Sequence, residues 1–94
     1  MVALSKGPTL TVSSNAITPT HDIHHVEGEF GGHISTINVP NPDFSGQIVL
    51  INETTGLAIW GDGNIDATGG VNFTPKHATI FTYDKDAGKW YVTP

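Results

Sequence analysis

The chain has 94 residues, no cysteine, and four Lys or Arg against nine Asp or Glu, which gives a formal net charge of -5. One domain with a small core is expected at this length, and the lack of cysteine excludes disulfide stapling and thiolate zinc sites. The negative charge excludes the basic surface that grips nucleic acid, and no apolar run approaches the roughly 20 residues of a membrane helix. We therefore expect a soluble, unexported chain with no nucleic-acid or membrane partner.

The predicted elements are all strands, because Gly or Pro interrupts the chain before any helical apolar period lasts three turns. Segment 47–52 is apolar on both faces, which predicts a central strand covered on both sides. Residues 85–88, "KDAG", are predicted to join the last two strands in a hairpin. In chain order, the predicted strands are 9–14, 33–39, 47–52, 57–60, 78–84 and 89–93. The sequence thus predicts an N-terminal arm (1–9) and one all-β domain (10–94), an antiparallel β-sandwich or barrel-like unit.

The stretch "GDGNIDATGG", residues 61–70, places Asp62, Asn64 and Asp66 at alternate positions, as at the start of a calcium-binding loop. An EF-hand counted from Asp62 needs Gly at its sixth position and Glu at its twelfth, where the chain has Ala67 and Phe73. The EF-hand is therefore excluded. A looser calcium site and a simple turn that enters a short strand both stay open.

Three of the five histidines lie in "HDIHHVEGE", residues 21–29. On a strand His24 and His25 point to opposite faces, so one subunit does not converge both on one metal ion. A threefold axis could gather three copies of one histidine, and the alternative is structural histidines in a subunit contact. We assign no metal and no cofactor.

The sequence offers no convincing catalytic group. Glu27 and Glu29 would share a strand face and imitate a carboxylate pair, but a solvated acidic edge is the better interpretation. Ser35 lies beside His33 without the G-x-S-x-G context of a nucleophile. We predict a protein that is not an enzyme.

The aromatic residues are candidates for either core packing or a sugar-stacking surface. In "KWYVT" Trp90 and Val92 share one strand face and Tyr91 the other, so at least one aromatic side chain faces solvent or a partner. Trp60 and Tyr91 are the candidate glycan contacts.

Five segments occur in a characteristic order: "LTVSSNAITPTHDIHHVEG" (10–28), "ISTINVP" (34–40), "FSGQIVLI" (44–51), "GNIDATGG" (63–70) and "FTYDKDAGKWY" (81–91). In this order they resemble a small β-rich module of bacteriophage virion proteins. The resemblance spans residues 10–93. It implies a module that forms symmetric trimers, either at the C-terminus of tail fibres and tailspikes or as a decoration protein on capsids. It also implies that Asn64 and Ile65 belong to a turn that enters a strand, without a ligand role.

Met1 lies only a few residues before the module, which favours a complete small protein. The expected function is that of a capsid decoration, or cement, protein, made in the bacterial cytoplasm and bound to the major capsid protein on the outer surface of the virion. The alternative is a trimerising, glycan-binding tip of a tail fibre or tailspike. The candidate capsid contact is an arm that includes Val2, Leu4, Lys6 and Pro8. The candidate subunit contact comprises Ile23, His25, Val26, Trp90 and Tyr91.

Overall fold

The computed structural model describes residues 6–39, 44–68, 71 and 73–93. These residues form strands and turns, and no helix occurs among them. The strands are β1 Leu10–Thr11, β2 Ala16–Ile17, β3 Ile23–Glu27, β4 His33–Ile34, β5 Thr36–Ile37, β6 Gly46–Asn52, β7 Ala58–Ile59, β8 Ile65–Asp66, β9 Ala78–Asp84 and β10 Lys89–Thr93. One compact all-β domain was predicted, and this coarse prediction is confirmed.

Most of the chain winds in parallel turns. In the six-stranded sheet the order is β1-β3-β6-β9-β10-β8, and two short sheets pair β2 with β5 and β4 with β7. β1, β3 and β6 are parallel, with Leu10 beside Val26 and Ile23 beside Val49, so partners lie 16 and 26 positions apart. The two short ladders are parallel as well. Each turn of the chain therefore lies on the previous one, as repeats stack in a solenoid.

The predicted antiparallel arrangement is wrong for this first part of the chain. Antiparallel pairing occurs in the ladders of β6 with β9 and β9 with β10, while the other ladders between described strands are parallel. The physical reason is that a short loop after β3 or β6 turns a corner into another sheet and does not fold back on its own strand. The result is a curled mixed sheet.

Both strands of the predicted C-terminal hairpin, residues 78–84 and 89–93, are present. Asp84 pairs with Lys89 across residues 85–88, and Gly88 adopts a left-handed φ of 66° while its N–H donates to the Asp84 carbonyl at 2.9 Å. A residue without Cβ adopts this conformation at no steric cost, which explains the glycine at the end of the turn.

The predicted central strand β6 is central, since β3 and β9 flank it. However, only one of its faces is fully buried. Leu50 and Asn52 point into the core, whereas Val49 and Ile51 are only half-buried. The prediction that both faces are covered is therefore wrong, and the six-stranded sheet has an inner face and an outer face.

The inner face of the six-stranded sheet packs against the two short sheets. Trp90, from β10, is fully buried, and its indole N–H donates to the carbonyl oxygen of Ile37 at 2.9 Å. This bond ties the C-terminal hairpin to β5, 53 positions earlier in the chain. The buried apolar core comprises Ile17, Val26, Ile34, Ile37, Ile48, Leu50, Leu57, Ile59, Ile65, Phe73, Phe81 and Trp90.

Candidate functional site

The two adjacent histidines of β3 point to opposite faces, as expected of a strand. His24 is fully buried, and its Nε2 lies 2.9 Å and 3.0 Å from the backbone N–H groups of Thr20 and His21. Nε2 must therefore accept, so the ring proton is on Nδ1, which donates to the carbonyl oxygen of Pro8 at 2.7 Å. His24 is thus a structural side chain whose two ring nitrogens are both used.

His25 faces outward and belongs to a charged cluster at one end of the outer face. Its Nδ1 contacts one carboxylate oxygen of Glu53, and the Lys76 ammonium contacts the other. The hydrogen bond from Lys76, followed by that from His25, lowers the pKa of Glu53 below its ordinary value of 4.5. Within the described part of the chain, no group of three His, Asp or Glu side chains is placed to hold a metal ion.

The N-terminal arm is attached to its own domain from Lys6 onward. Lys6 forms a parallel bridge with Ile23, the Gly7 N–H donates to the Ile23 carbonyl at 2.7 Å, and Pro8 accepts from the buried His24. Lys6 and Pro8 therefore lie along β3 and do not extend away from the domain as the prediction of a reaching arm requires. Val2 and Leu4 lie outside the described residues.

The predicted subunit-contact residues do not share one face. Val26 and Trp90 are fully buried in the core, because they occupy inward positions of β3 and β10. Ile23 and His25 alternate with Val26 and point outward, and Tyr91 alternates with Trp90 and is 42% exposed. We therefore correct the face to exclude Val26 and Trp90.

The outer face of the six-stranded sheet, defined by the outward residues of β3, β6, β9 and β10, carries an apolar patch among polar positions. One row across it runs from Ile23 to Val49 to Ile80, and Ile51 adjoins this row. Ile80 is 38% exposed. A sheet face that meets water usually carries polar side chains, so this composition marks a candidate contact surface.

The two glycan candidates lie in different parts of the fold. Trp60 follows β7, is 50% exposed, and stacks on the His33 ring with centroids 3.7 Å apart and planes 12° from parallel. Tyr91 lies on the outer face of the other sheet, in β10, beside Asp66 of β8 and Thr82 of β9. The aromatic partner of Trp60 is thus His33, which the sequence did not suggest.

The loop with the calcium-like spacing is built around Asn64. Its side-chain oxygen accepts the Ile37 N–H at 2.9 Å, and its amide donates to the Ile37 carbonyl at 2.8 Å, so the side chain pairs with β5 as a strand would. The backbone N–H and the hydroxyl of Thr68 both bond the carboxylate of Asp66 and lower its pKa. The loop is therefore a turn that enters β8, as the resemblance implies.

The weak catalytic candidates are separated. Glu27 ends β3 and accepts the Thr11 hydroxyl at 3.2 Å, whereas Glu29 lies in the following loop, so the two carboxylates do not share a strand face. The Ser35 hydroxyl donates to the Asn15 carbonyl at 3.5 Å.

The sequence did not suggest a structural role for two polar side chains, one buried and one half-buried. Asn52 is fully buried at the end of β6, where its side chain donates to the Phe73 carbonyl and accepts the Thr54 N–H, both at 2.8 Å. Glu53, next to it, joins His25 and Lys76. An Asn side chain that accepts the backbone N–H two residues on forms an Asx turn, and the Asn that ends the apolar strand in "INET" is a signal for one.

Among the described residues, no helix has the length and apolarity to cross a membrane. Comparison with protein-family models, with curated proteins and with solved structures finds no match to this chain.

Proposed function

We propose that the chain is a non-enzymatic structural protein of a bacteriophage particle, a decoration protein that binds the major capsid protein as a symmetric trimer on the outer shell. The resemblance of residues 10–93 to virion modules supports the assignment to a bacteriophage particle. The outer face of the six-stranded sheet supports the self-association and is the observation that carries the proposal.

The composition of the outer face favours a second copy of the chain as its partner. Apolar area removed from water contributes about 25 cal/mol per Å², and a 94-residue domain with one thin core gains stability from a partner. The row of Ile23, Val49 and Ile80 is uncharged. At a threefold axis the same patch of three copies meets, and an uncharged centre meets itself without like-charge repulsion.

Two of the charged groups near the outer face already have partners within the chain. Glu53 is held by His25 and Lys76, and the Lys89 ammonium donates to the Gly63 carbonyl at 3.0 Å. Burying a charge is costly when it has no partner, so these internal contacts reduce the cost of covering the face.

The contact with the capsid is proposed for the segment before Lys6, which includes Val2 and Leu4. Because residues 6–8 are bonded along β3, that segment starts from a fixed point at one edge of the sheet.

Co-sedimentation with emptied capsids of the phage that carries this sequence tests the proposal. The wild-type protein should sediment with the shells, a variant lacking residues 2–5 should stay in the supernatant, and Ile80→Glu should bind more weakly because it loses multivalency. A wild-type protein that never sediments with the shells would refute the decoration function.

A glycan-binding tip of a tail fibre or tailspike is the second candidate. The observation that favours it is Trp60, which is half-exposed and stacked on His33. Sugar binding by the free protein, without binding to shells, would favour this second candidate.

A further inference from the structure

We propose that a pocket beside the Trp60–His33 stack binds an uncharged hexose ring of a glycan. The inference rests on the second candidate function and assigns it a site and a ligand class. The pocket has a volume of about 210 Å³. Its lining residues are Val12, Ser14, Asn15, Glu29, Gly32, His33 and Leu57.

The lining is complementary to the two kinds of group on a sugar ring, its C–H groups and its hydroxyls. Val12 and Leu57 supply apolar contact for C–H groups, and His33 adds an aromatic ring that Trp60 supports by stacking. Ser14, Asn15 and Glu29 contribute a hydroxyl, an amide and a carboxylate, which are donors and acceptors for sugar hydroxyls. Pockets that pair apolar walls with a few convergent polar groups are the usual small-molecule sites.

The polar rim is held in place before any ligand arrives. Ser14 and Asn15 form a two-residue turn with left-handed φ values of 52° and 63°, a conformation that few residues other than glycine adopt. The Asn15 carbonyl accepts the N–H groups of Ser35 and Thr36 at 2.9 Å and 3.2 Å. On the opposite side, the Glu29 carbonyl accepts the Gly32 N–H at 2.9 Å. A fixed rim reduces the entropy lost on binding.

The charge of the site selects against anionic sugars. Glu29 is the acidic group in the lining, and the whole chain carries a net charge of -5. A sialic acid or a sugar phosphate would bring like charge to this carboxylate, whereas a neutral hexose offers hydroxyl donors to it.

Nuclear magnetic resonance titration of isotope-labelled full-length protein tests the site. The probes are the methyl glycosides of glucose, galactose, mannose and N-acetylglucosamine, with sialyllactose as the anionic comparison. At least one neutral probe should shift the amide signals of Ser14, Asn15, Gly32 and His33. Sialyllactose should bind about tenfold more weakly, or not at all.

Amino-acid substitutions test whether this pocket, and not another surface of the protein, binds the sugar. Glu29→Gln should weaken binding about tenfold, because it loses a charge-assisted hydrogen bond, and His33→Ala by about three- to tenfold. Trp60→Ala should weaken it less, since Trp60 acts by positioning His33. Asp86→Asn, in the hairpin turn, is the control and should bind as wild type, whereas Tyr91→Ala tests the rival glycan candidate in β10.

The outcomes that overturn the inference are distinct. If no probe shifts any signal, both the site and the second candidate function are rejected. If a neutral sugar binds but depends on Tyr91 and not on Glu29 or His33, glycan binding stands and the site is wrong. If sialyllactose binds more tightly than the neutral probes, the ligand class is wrong.

Discussion

His24 joins three backbone groups from two segments through one buried ring. Thr20 and His21 donate to Nε2, and Nδ1 donates to Pro8 of the N-terminal segment. A buried backbone group that loses its partner costs about 1–3 kcal/mol. The ring therefore stabilises the chain by hydrogen bonding as well as by packing.

Replacing this ring with an apolar one should be destabilising although an aromatic ring is kept. We expect His24→Phe to lower the free energy of unfolding by about 2–4 kcal/mol, because three backbone groups lose their partner. Urea denaturation measures the change, with the exposed His77→Ala as the control, expected within about 0.5 kcal/mol of wild type. A His24→Phe protein as stable as wild type would contradict this role.

Asn64 requires both its oxygen and its amide, because it bonds the N–H and the carbonyl of Ile37. Asn64→Asp keeps the acceptor but turns a second oxygen toward the carbonyl, so we expect a loss of about 2–3 kcal/mol. Asp62→Asn, at an exposed neighbouring position, should change stability by less than about 0.5 kcal/mol. Thermal unfolding measures both. Stabilisation of the wild type by calcium that is lost in Asp62→Asn would show that the loop is a metal site.

Glu53 should make stability depend on pH in the acid range. Its folded-state pKa is lowered by the hydrogen bonds from Lys76 and His25, so the unfolded chain binds the proton more readily. The stabilisation is complete above the ordinary pKa of 4.5 and is lost as pH falls through the folded-state value. The stability difference between wild type and Glu53→Gln should therefore shrink in acid. Urea denaturation at neutral pH and at about pH 3 measures it, and a difference independent of pH would exclude this contribution.

At the scale of elements, the N-terminal segment divides at Lys6. Residues 6–8 are bonded to β3 and to His24, so a deletion that reaches residue 8 removes part of the fold. Deletion of residues 2–5 leaves these contacts in place, whereas deletion of residues 2–8 removes them.

We expect deletion of residues 2–8 to lower the free energy of unfolding by about 2 kcal/mol or more, because the His24 ring loses its acceptor. Gly7→Ala should reproduce part of the loss, since an added Cβ would overlap the rings of His21 and His24. Gly46→Ala, whose Cβ would meet only the Phe44 ring at 3.5 Å, is the matched control. An unchanged midpoint in urea for the 2–8 deletion would refute this attachment.

Strand positions were more predictable than strand partners. The alternation in 78–84 and 89–93 and the Gly88 turn fixed the hairpin, because its contacts are local. Segment 33–39 divides into β4 and β5 around Ser35, since the chain turns a corner there between two sheets. Apolar alternation has the same period in parallel and antiparallel strands, so it does not reveal the direction of pairing. It also does not show where the chain passes from one sheet to another.

The candidate sites were predictable only in part, for a related reason. Strand alternation places Ile23 and Val26 on opposite faces, but which of the two faces the core depends on the pairing with β6. The stack of Trp60 on His33 joins residues 27 positions apart that meet because β4 and β7 are parallel neighbours. Contacts of this kind require the topology.

At the scale of the whole molecule, the outer face of the six-stranded sheet keeps a partly exposed apolar patch. The core closes between the inner face and the two short sheets, while Val49, Ile51 and Ile80 stay on the outside. The proposed self-association would remove these apolar side chains from water.

Molar mass by light scattering, for the wild type and for Ile80→Glu, tests this claim most directly. The account predicts a trimer for the wild type and a folded monomer for Ile80→Glu, because a carboxylate at the centre of the contact would be buried without a partner. Asp86→Asn, in the hairpin turn away from the face, should stay trimeric. A wild type that is monomeric at every concentration, or an Ile80→Glu variant that is still trimeric, would contradict it.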